Sequence, residues 1–71
     1  MQSKLSFDQC TPAQVAAAVQ YAENQEHITV EVVQPKSGSI GFYPHFGLES
    51  AYAQQAWSDF CCEVTSAIWN A

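Results

Sequence analysis

The stretch HITVEVVQPKSGSIGFYPHF, residues 27–46, decides the fold, because it contains two alternating segments joined by a turn. The apolar side chains of HITVEVVQ occupy every second position from Ile28 to Val32, which is typical of a half-buried strand. In PKSG, Pro35 presets the backbone for a turn and Gly38 tolerates a positive φ, so the chain is predicted to reverse there. The sequence therefore predicts a β-hairpin in the middle of the chain.

The second arm of this hairpin, SIGFYPHF, alternates apolar residues with a mixed outer set. The residues predicted to face the core are Ile40, Phe42 and Phe46. The residues predicted to face outward are Gly41, Tyr43 and His45. Because Pro44 has no backbone N–H, this arm is predicted either to lie at the edge of the sheet or to stop pairing at Pro44.

Upstream of the hairpin, CTPAQVAAAVQYAENQ carries a strong helix-start signal. Thr11 is placed to be the N-cap, Pro12 takes the first helical position, and Gln14 completes a capping box. Apolar residues then recur at i, i+3, i+4 and i+7, namely Val15, Ala18, Val19 and Ala22. The alanines leave a smooth surface that allows another element to approach closely, and we expect the helix to end near Asn24 or Gln25.

Downstream of the hairpin, LESAYAQQAWSDFCCEVTSAIWN, residues 48–70, predicts a long final helix. Its apolar stripe has the 3.6-residue spacing of a helix and comprises Ala53, Ala56, Trp57, Phe60, Cys61, Val64, Ala67 and Ile68. Its opposite face is polar and comprises Gln55, Ser58, Asp59, Cys62, Glu63 and Ser66.

The segment KLSF, residues 4–7, also alternates and is interpreted as a short first strand. The order β-α-β-β-α then predicts an α+β fold in two layers, with a small antiparallel sheet and two helices packed on one face of it. No repeat or linker-like segment divides the 71 residues, so we expect a single domain over residues 1–71.

The charge balance restricts the class of partner. The chain has seven acidic residues, two lysines and no arginine, for a net charge of −5. Direct nucleic-acid binding and docking on an anionic membrane both depend on clusters of Lys and Arg, so neither is expected. An acidic balance suits a basic protein partner, and it equally serves solubility alone.

Two features of the sequence favour a cytoplasmic protein. The amino-terminal segment MQSKLSFDQC lacks the apolar core of a secretory signal, and no apolar run approaches the ~20 residues of a membrane-spanning helix. The three cysteines, Cys10, Cys61 and Cys62, are odd in number and two are adjacent, which is a poor disulfide framework. Cysteines that persist as thiols are typical of a reducing cytosol.

The cysteines, histidines and glycines are too few and too poorly spaced to predict a catalytic, metal or phosphate site. The sequence has no C-x-x-C or H-x-x-x-H spacing, and adjacent Cys61 and Cys62 would point about 100° apart on a helix. A nucleophilic pair of Cys62 and His45 would need a nearby cation that the sequence does not offer. The three glycines form no phosphate-binding pattern. We therefore predict a protein without catalytic residues, metal or cofactor.

Two pairs of acidic residues lie at helical spacing without a neighbouring lysine. Asp59 and Glu63 are four residues apart in the final helix, and Glu23 and Glu26 are three apart at the end of the first. Like charges at these spacings destabilise a helix by about 0.2–0.5 kcal/mol per pair. The pairs are expected either to meet a basic partner or only to keep the domain soluble.

Four aromatic residues fall outside the apolar stripes, and they are Tyr21, Tyr43, Tyr52 and Trp69. Tyr and Trp are enriched at the hot spots of protein interfaces. Peripheral packing is the better explanation for any one of them alone, whereas the group beside an acidic helix face favours binding.

The expected function is that of a non-enzymatic module that binds a basic surface of a larger, nucleic-acid-binding protein. In size and charge the chain resembles the small acidic inhibitors of phages and mobile elements, such as anti-CRISPR and anti-restriction proteins, as a class and not through any shared residue. The predicted partner-binding residues are Glu31, Tyr43, His45, Asp59 and Glu63. The alternative is a structural or assembly subunit that forms a homodimer or larger oligomer through its edge strand or final helix.

Overall fold

A computed structural model describes residues 3–71 of the protein, so Met1 and Gln2 of the amino-terminal segment lie outside the described residues. Five elements follow one another in the order β-α-β-β-α. They are β1 (Leu5–Phe7), α1 (Pro12–Glu23), β2 (Val30–Val33), β3 (Ile40–Pro44) and α2 (Ala51–Trp69). The predicted α+β fold, with a small antiparallel sheet and two helices on one face of it, is confirmed.

The strand order is β1-β3-β2, and both pairings are antiparallel. Phe42 lies opposite Leu5 on one side and opposite Val32 on the other. β3 is therefore the central strand, and the prediction that it lies at an edge of the sheet is wrong. The other predicted outcome is observed for the strand itself, which ends at Pro44, although one further backbone bond to the β2 side follows at His45.

Pro44 is tolerated in a central strand because of the direction in which its nitrogen points. The backbone N–H groups of a strand alternate between its two neighbours. The His45 N–H donates to the Thr29 carbonyl at 2.8 Å, on the β2 side, so the Pro44 nitrogen points to the β1 side. The pairing with β1 extends only to Leu5 opposite Phe42. The missing N–H of Pro44 therefore costs no hydrogen bond of the sheet.

The first helix begins and ends as the sequence predicts. The Thr11 hydroxyl accepts from the Gln14 N–H at 3.1 Å, and the Gln14 side chain accepts from the Thr11 N–H at 2.9 Å, which forms the capping box. The helix ends at Glu23, and Asn24 is its C-cap. Ala18 is fully buried where α1 meets the core.

The second helix begins three residues later than predicted. The Ser50 hydroxyl accepts from the Ala53 N–H at 3.0 Å, so Ser50 is the N-cap and Leu48 and Glu49 precede the helix. A serine at this position satisfies one of the free N–H groups at a helix start, which explains the boundary. Within residues 3–71, neither helix combines the length and the apolarity needed to cross a membrane.

The core lies between the helices and the inner face of the sheet, and Phe60 contacts aromatic rings from both helices and from β3. The Phe60 ring centre lies 5.5 Å from that of Phe42 in β3, 5.6 Å from that of Trp57 and 5.7 Å from that of Tyr21 in α1. The buried residues of α2 are Trp57, Phe60, Val64 and Ile68, all members of the predicted stripe. The six residues predicted for the polar face of this helix are all exposed.

The turn between β2 and β3 is stabilised by the loop before α1. Gly38 has a φ of +82°, as predicted, and the Ser39 N–H donates to the Lys36 carbonyl at 3.1 Å. The Gly38 carbonyl accepts from the Cys10 N–H at 2.8 Å. The buried Ser39 hydroxyl donates to the Asp8 carboxylate at 2.7 Å. Turn and loop therefore hold each other in place.

Gly38→Ala is expected to lower the free energy of unfolding by about 1–2 kcal/mol, because a side chain disfavours positive φ by that amount. The added Cβ would also lie 3.2 Å from the Cys10 carbonyl oxygen. Urea denaturation followed by circular dichroism measures the loss. The matched control is Gly47→Ala, where a Cβ meets nothing within 4 Å and φ is not positive, and we expect a change within about 0.5 kcal/mol. Equal losses in both variants would contradict the role of Gly38.

Candidate functional site

The outer face of the sheet points away from both helices, which pack on the inner face around Phe42. Tyr43 and Glu31 lie opposite each other in the β3–β2 register, so their side chains share this outer face. The Lys4 Nζ lies 5.7 Å from the centre of the Tyr43 ring, within reach of a cation–π contact. His45, two residues beyond Tyr43, is exposed. We call the surface of Lys4, Glu31, Tyr43 and His45 the open sheet face.

A second surface lies on the side of α2 that is turned away from the core. Tyr52, Asp59 and Glu63 are separated by seven and four residues, so they fall within about 40° of one another around the helix. All three are exposed, and Tyr52 is 82 % exposed. The Asp59 carboxylate accepts from the Gln55 side-chain amide at 2.8 Å. We call the surface of Tyr52, Asp59 and Glu63 the acidic helix face.

Glu63 is held in place by the first helix. The Tyr21 hydroxyl donates a hydrogen bond to the Glu63 carboxylate. Burial, and after it this hydrogen bond, raise the pKa of the Tyr21 hydroxyl above its usual value, because both disfavour the phenolate. Tyr21 lies outside the apolar stripe of α1, and its pairing with Glu63 cannot be predicted from the sequence, because a contact across 42 residues leaves no periodic signal.

Tyr21→Phe is expected to lower the free energy of unfolding at pH 7 by about 0.5–1 kcal/mol, the range of a hydrogen bond that is partly open to solvent. The pKa of Tyr21 is higher in the folded than in the unfolded protein. Its contribution is therefore fully present below the unfolded pKa of about 10 and is lost as the pH rises through the folded pKa. Urea denaturation of both proteins at several pH values measures the difference. A difference that grows above pH 10 would contradict the assignment.

Charge is distributed unevenly between the two layers. Lys4 and Lys36 both lie in the sheet and its turns, where they balance Asp8 and Glu31. The helices and the two loops that adjoin the end of α1 and the start of α2 carry the other five acidic residues, Glu23, Glu26, Glu49, Asp59 and Glu63. The helices themselves carry Glu23, Asp59 and Glu63 and no lysine, whereas Glu26 and Glu49 lie in loops that join a helix to a strand.

The structure divides the five predicted binding residues between the two surfaces. Glu31, Tyr43 and His45 lie on the open sheet face, whereas Asp59 and Glu63 lie on the acidic helix face. The two surfaces lie in different layers on opposite sides of the core, so a flat partner surface contacts one set or the other.

Tyr52 belongs to the acidic helix face, although it is not among the five predicted binding residues. A signal was present in the sequence, since Tyr52 precedes Asp59 by seven residues, which is two turns of a helix.

The thiols and histidines of residues 3–71 form no metal-binding group. Cys10, Cys61 and Cys62 are all free thiols. Burial, and after it the neighbouring Cys62, raise the pKa of Cys61, which lowers its thiolate fraction at neutral pH. His45 lies on the open sheet face and Cys62 on the outer side of α2, so they do not form a pair. No group of three or more His, Cys, Asp or Glu side chains in the described residues is placed to hold a metal ion.

Comparisons with known proteins identify no relative of this chain. No protein-family model, curated protein or solved structure matches it at a significant level. The function proposed below therefore rests on the two surfaces and their charges.

Proposed function

We propose that this protein is a non-enzymatic binding module whose acidic helix face occupies a basic surface of a larger, nucleic-acid-binding protein. The observation that carries the proposal is that the two helices carry three acidic residues and no lysine, with exposed Tyr52 in line with Asp59 and Glu63. Surfaces that bind phosphates present clusters of Lys and Arg, which complement this face. Because an occupied surface is closed to nucleic acid, the module acts as an inhibitor or modulator.

The like charges of the helical layer support a partner because they are unfavourable in the free protein. Asp59 and Glu63 repel each other across one turn of α2. Glu23 lies in the last turn of α1, where the helix dipole is negative. Cations of a partner turn this repulsion into attraction and steer the two proteins together.

Tyr52 supplies the aromatic part of the contact. Its ring is almost fully exposed, so it contributes little to the core. Tyrosine is enriched at binding hot spots because it combines apolar area with a polar tip. Along α2, Tyr52 and Glu63 are about 16 Å apart, a length that suits a compact contact with one basic surface.

The proposed setting is the cytoplasm of a cell in which such an inhibitor meets its target. Three free cysteines suit a reducing compartment. The raised pKa of Cys61 makes this thiol a poor nucleophile. In size and net charge the chain resembles the acidic inhibitors of phages and mobile elements, which is an analogy of class.

A self-associating subunit is the second candidate, and Trp69 favours it. Trp69 is 75 % exposed near the end of α2. Self-association through the acidic helix face itself is disfavoured, because two copies would bring Asp59 and Glu63 of one chain against those of the other. Salt separates the candidates, since only binding to a basic partner weakens as electrostatic attraction is screened.

The proposal is tested by capturing partners from the native cytosol on the immobilised protein at about 0.1 M and about 1 M salt, where the Debye length is ~10 Å and ~3 Å. A basic protein captured at low salt and released at high salt is expected. Asp59→Lys should weaken its binding about tenfold or more, because repulsion replaces attraction. Circular dichroism of this variant checks that the fold is retained.

The matched control for Asp59→Lys is Glu31→Lys, which makes the same charge change on the open sheet face. It is expected to retain most of the binding. Loss of binding in Glu31→Lys but not in Asp59→Lys would move the contact to the open sheet face and overturn the proposal. Capture of no protein except further copies of the chain would establish self-association instead.

A further inference from the structure

β2 has a free edge on the side away from β3. The bond from the His45 N–H to the Thr29 carbonyl fixes which residues of β2 face β3. Since backbone groups alternate along an antiparallel pair, Glu31 and Val33 bond to β3, and Val30 and Val32 point their N–H and C=O groups outward. No strand within residues 3–71 pairs with this edge.

A groove of about 520 Å³ lies between α1 and the hairpin turn, on the flank of α1 opposite Tyr21. Its α1 wall includes half-buried Val15 and Val19, and Gln34 and Gly38 belong to the hairpin side. Glu23 is the charged residue of its lining. The volume lies within the ~300–1,000 Å³ that is typical of ligand sites.

The free edge and the groove lie beside each other. α1 leads into β2 through a short loop and contacts it. Pro12 at the start of α1 and Gln34 just after β2 line the same groove, so the two elements run in opposite directions side by side. A further strand would lie about 4.8 Å outside β2, along the same flank of the molecule as the groove. Its backbone would meet Val30 and Val32, and alternate side chains would point toward Val15 and Val19.

We propose that an extended segment of another protein, containing a Lys or Arg, adds to β2 as a fourth strand and places alternate apolar side chains in the groove beside α1. In this mode of recognition the backbone bonds give affinity and the groove gives specificity. The cation follows from charge complementarity, because Glu23 is the charge that lines the groove.

A second copy of the chain is a poor occupant of this edge. Antiparallel pairing of two β2 strands about Glu31 would place the two Glu31 side chains directly opposite each other, which is destabilising. It would also bring the Glu23 carboxylates of two α1 helices to the same side of the extended sheet. A charged side chain in the middle of an edge strand is a common protection against self-pairing.

This inference is independent of the proposed function, because the groove lies on the flank of α1 opposite Tyr21, whereas Glu63 of the acidic helix face lies beside Tyr21. The experiment selects dodecapeptides from a random phage-displayed library on the full chain. The selected peptides are expected to alternate apolar residues and to carry Lys or Arg. Hydrogen exchange followed by NMR should show protection of the Val30 and Val32 amides when the peptide is bound.

Two variants distinguish strand addition from a nonspecific contact. Chemical synthesis places an N-methyl group on Val32, which removes the outward donor and blocks the edge; peptide binding should weaken at least about tenfold. The matched control carries the N-methyl group on Ser6, whose N–H points outward at the opposite edge of the sheet, and should bind normally. Glu23→Gln should weaken binding up to about fivefold.

Three results would overturn the inference. One is a selection that enriches no peptide that protects Val30 and Val32. Another is equal binding by the two N-methylated proteins. The third is concentration-dependent protection of the same amides without peptide, which would make a second copy the occupant. Asp59→Lys should leave peptide binding unchanged, so failure here and failure of the proposed function are separate.

Discussion

Phe60→Ala is expected to cause the largest loss of stability of any single substitution considered, about 3–5 kcal/mol. Phe60 is 1 % exposed, and its ring contacts the sheet through Phe42, its own helix through Trp57 and α1 through Tyr21. Removing the ring opens a cavity where these elements meet. A chain of 71 residues has a total stability of roughly 4–11 kcal/mol, so the variant loses a large part of it.

Urea denaturation monitored by Trp57 and Trp69 fluorescence and by far-ultraviolet circular dichroism measures this loss. Tyr52→Ala is the matched control, because it removes an aromatic ring from the same helix at an exposed position and should change stability by no more than about 0.5 kcal/mol. If Phe60→Ala does not fold, Phe60→Leu, which fills most of the cavity, should fold with a smaller loss. A loss below about 1 kcal/mol in Phe60→Ala would contradict the central position of this ring.

Local signals account for the parts of the fold that were predicted correctly. The capping box of Thr11 and Gln14 depends on residues three apart, and the buried stripe of α2 depends on a 3.6-residue period. The turn at Gly38 is likewise local, because it depends on the positive φ that glycine tolerates at this one position. Each of these features needs only its neighbours in sequence, so a single sequence contains the information.

Strand order is not local, which explains the wrong prediction for β3. Pro44 excludes a hydrogen bond on one side of the strand only, and the sequence does not say which side that is. The position of β1 beside β3 depends on pairing between residues 5–7 and 40–42. Because β1 is short, none of its residues lies opposite Pro44, so the proline nitrogen gives up no hydrogen bond of the sheet.

The candidate site was only partly predictable for the same reason. The exposure of Asp59, Glu63 and Tyr52 follows from helical periodicity, and all three are exposed. The separation of Glu31 from Asp59 follows from the layer to which each belongs, and that requires the packed structure. The contact of Tyr21 with Glu63 requires α1 and α2 to be placed side by side, which no periodic pattern specifies.

The close approach of α1 to the core gives the second large prediction, which concerns Ala18. Ala18 is 0 % exposed, so its methyl group is enclosed by the core and out of reach of water. Ala18→Leu adds three carbon atoms where none fit, and α1 must move away from the core. Overpacking of this kind lowers the free energy of unfolding by about 1–3 kcal/mol.

Ala13→Leu is the matched control for Ala18→Leu, because it makes the same change in the same helix at an exposed position. Helix propensity changes little between alanine and leucine, so the control should stay within about 0.5 kcal/mol of the parent. Urea denaturation of the three proteins gives the comparison, and NMR shifts of Tyr21 and Phe60 report whether α1 has moved. Equal stability of Ala18→Leu and Ala13→Leu would show that α1 has room at Ala18, and the smooth alanine surface would then have no role in packing.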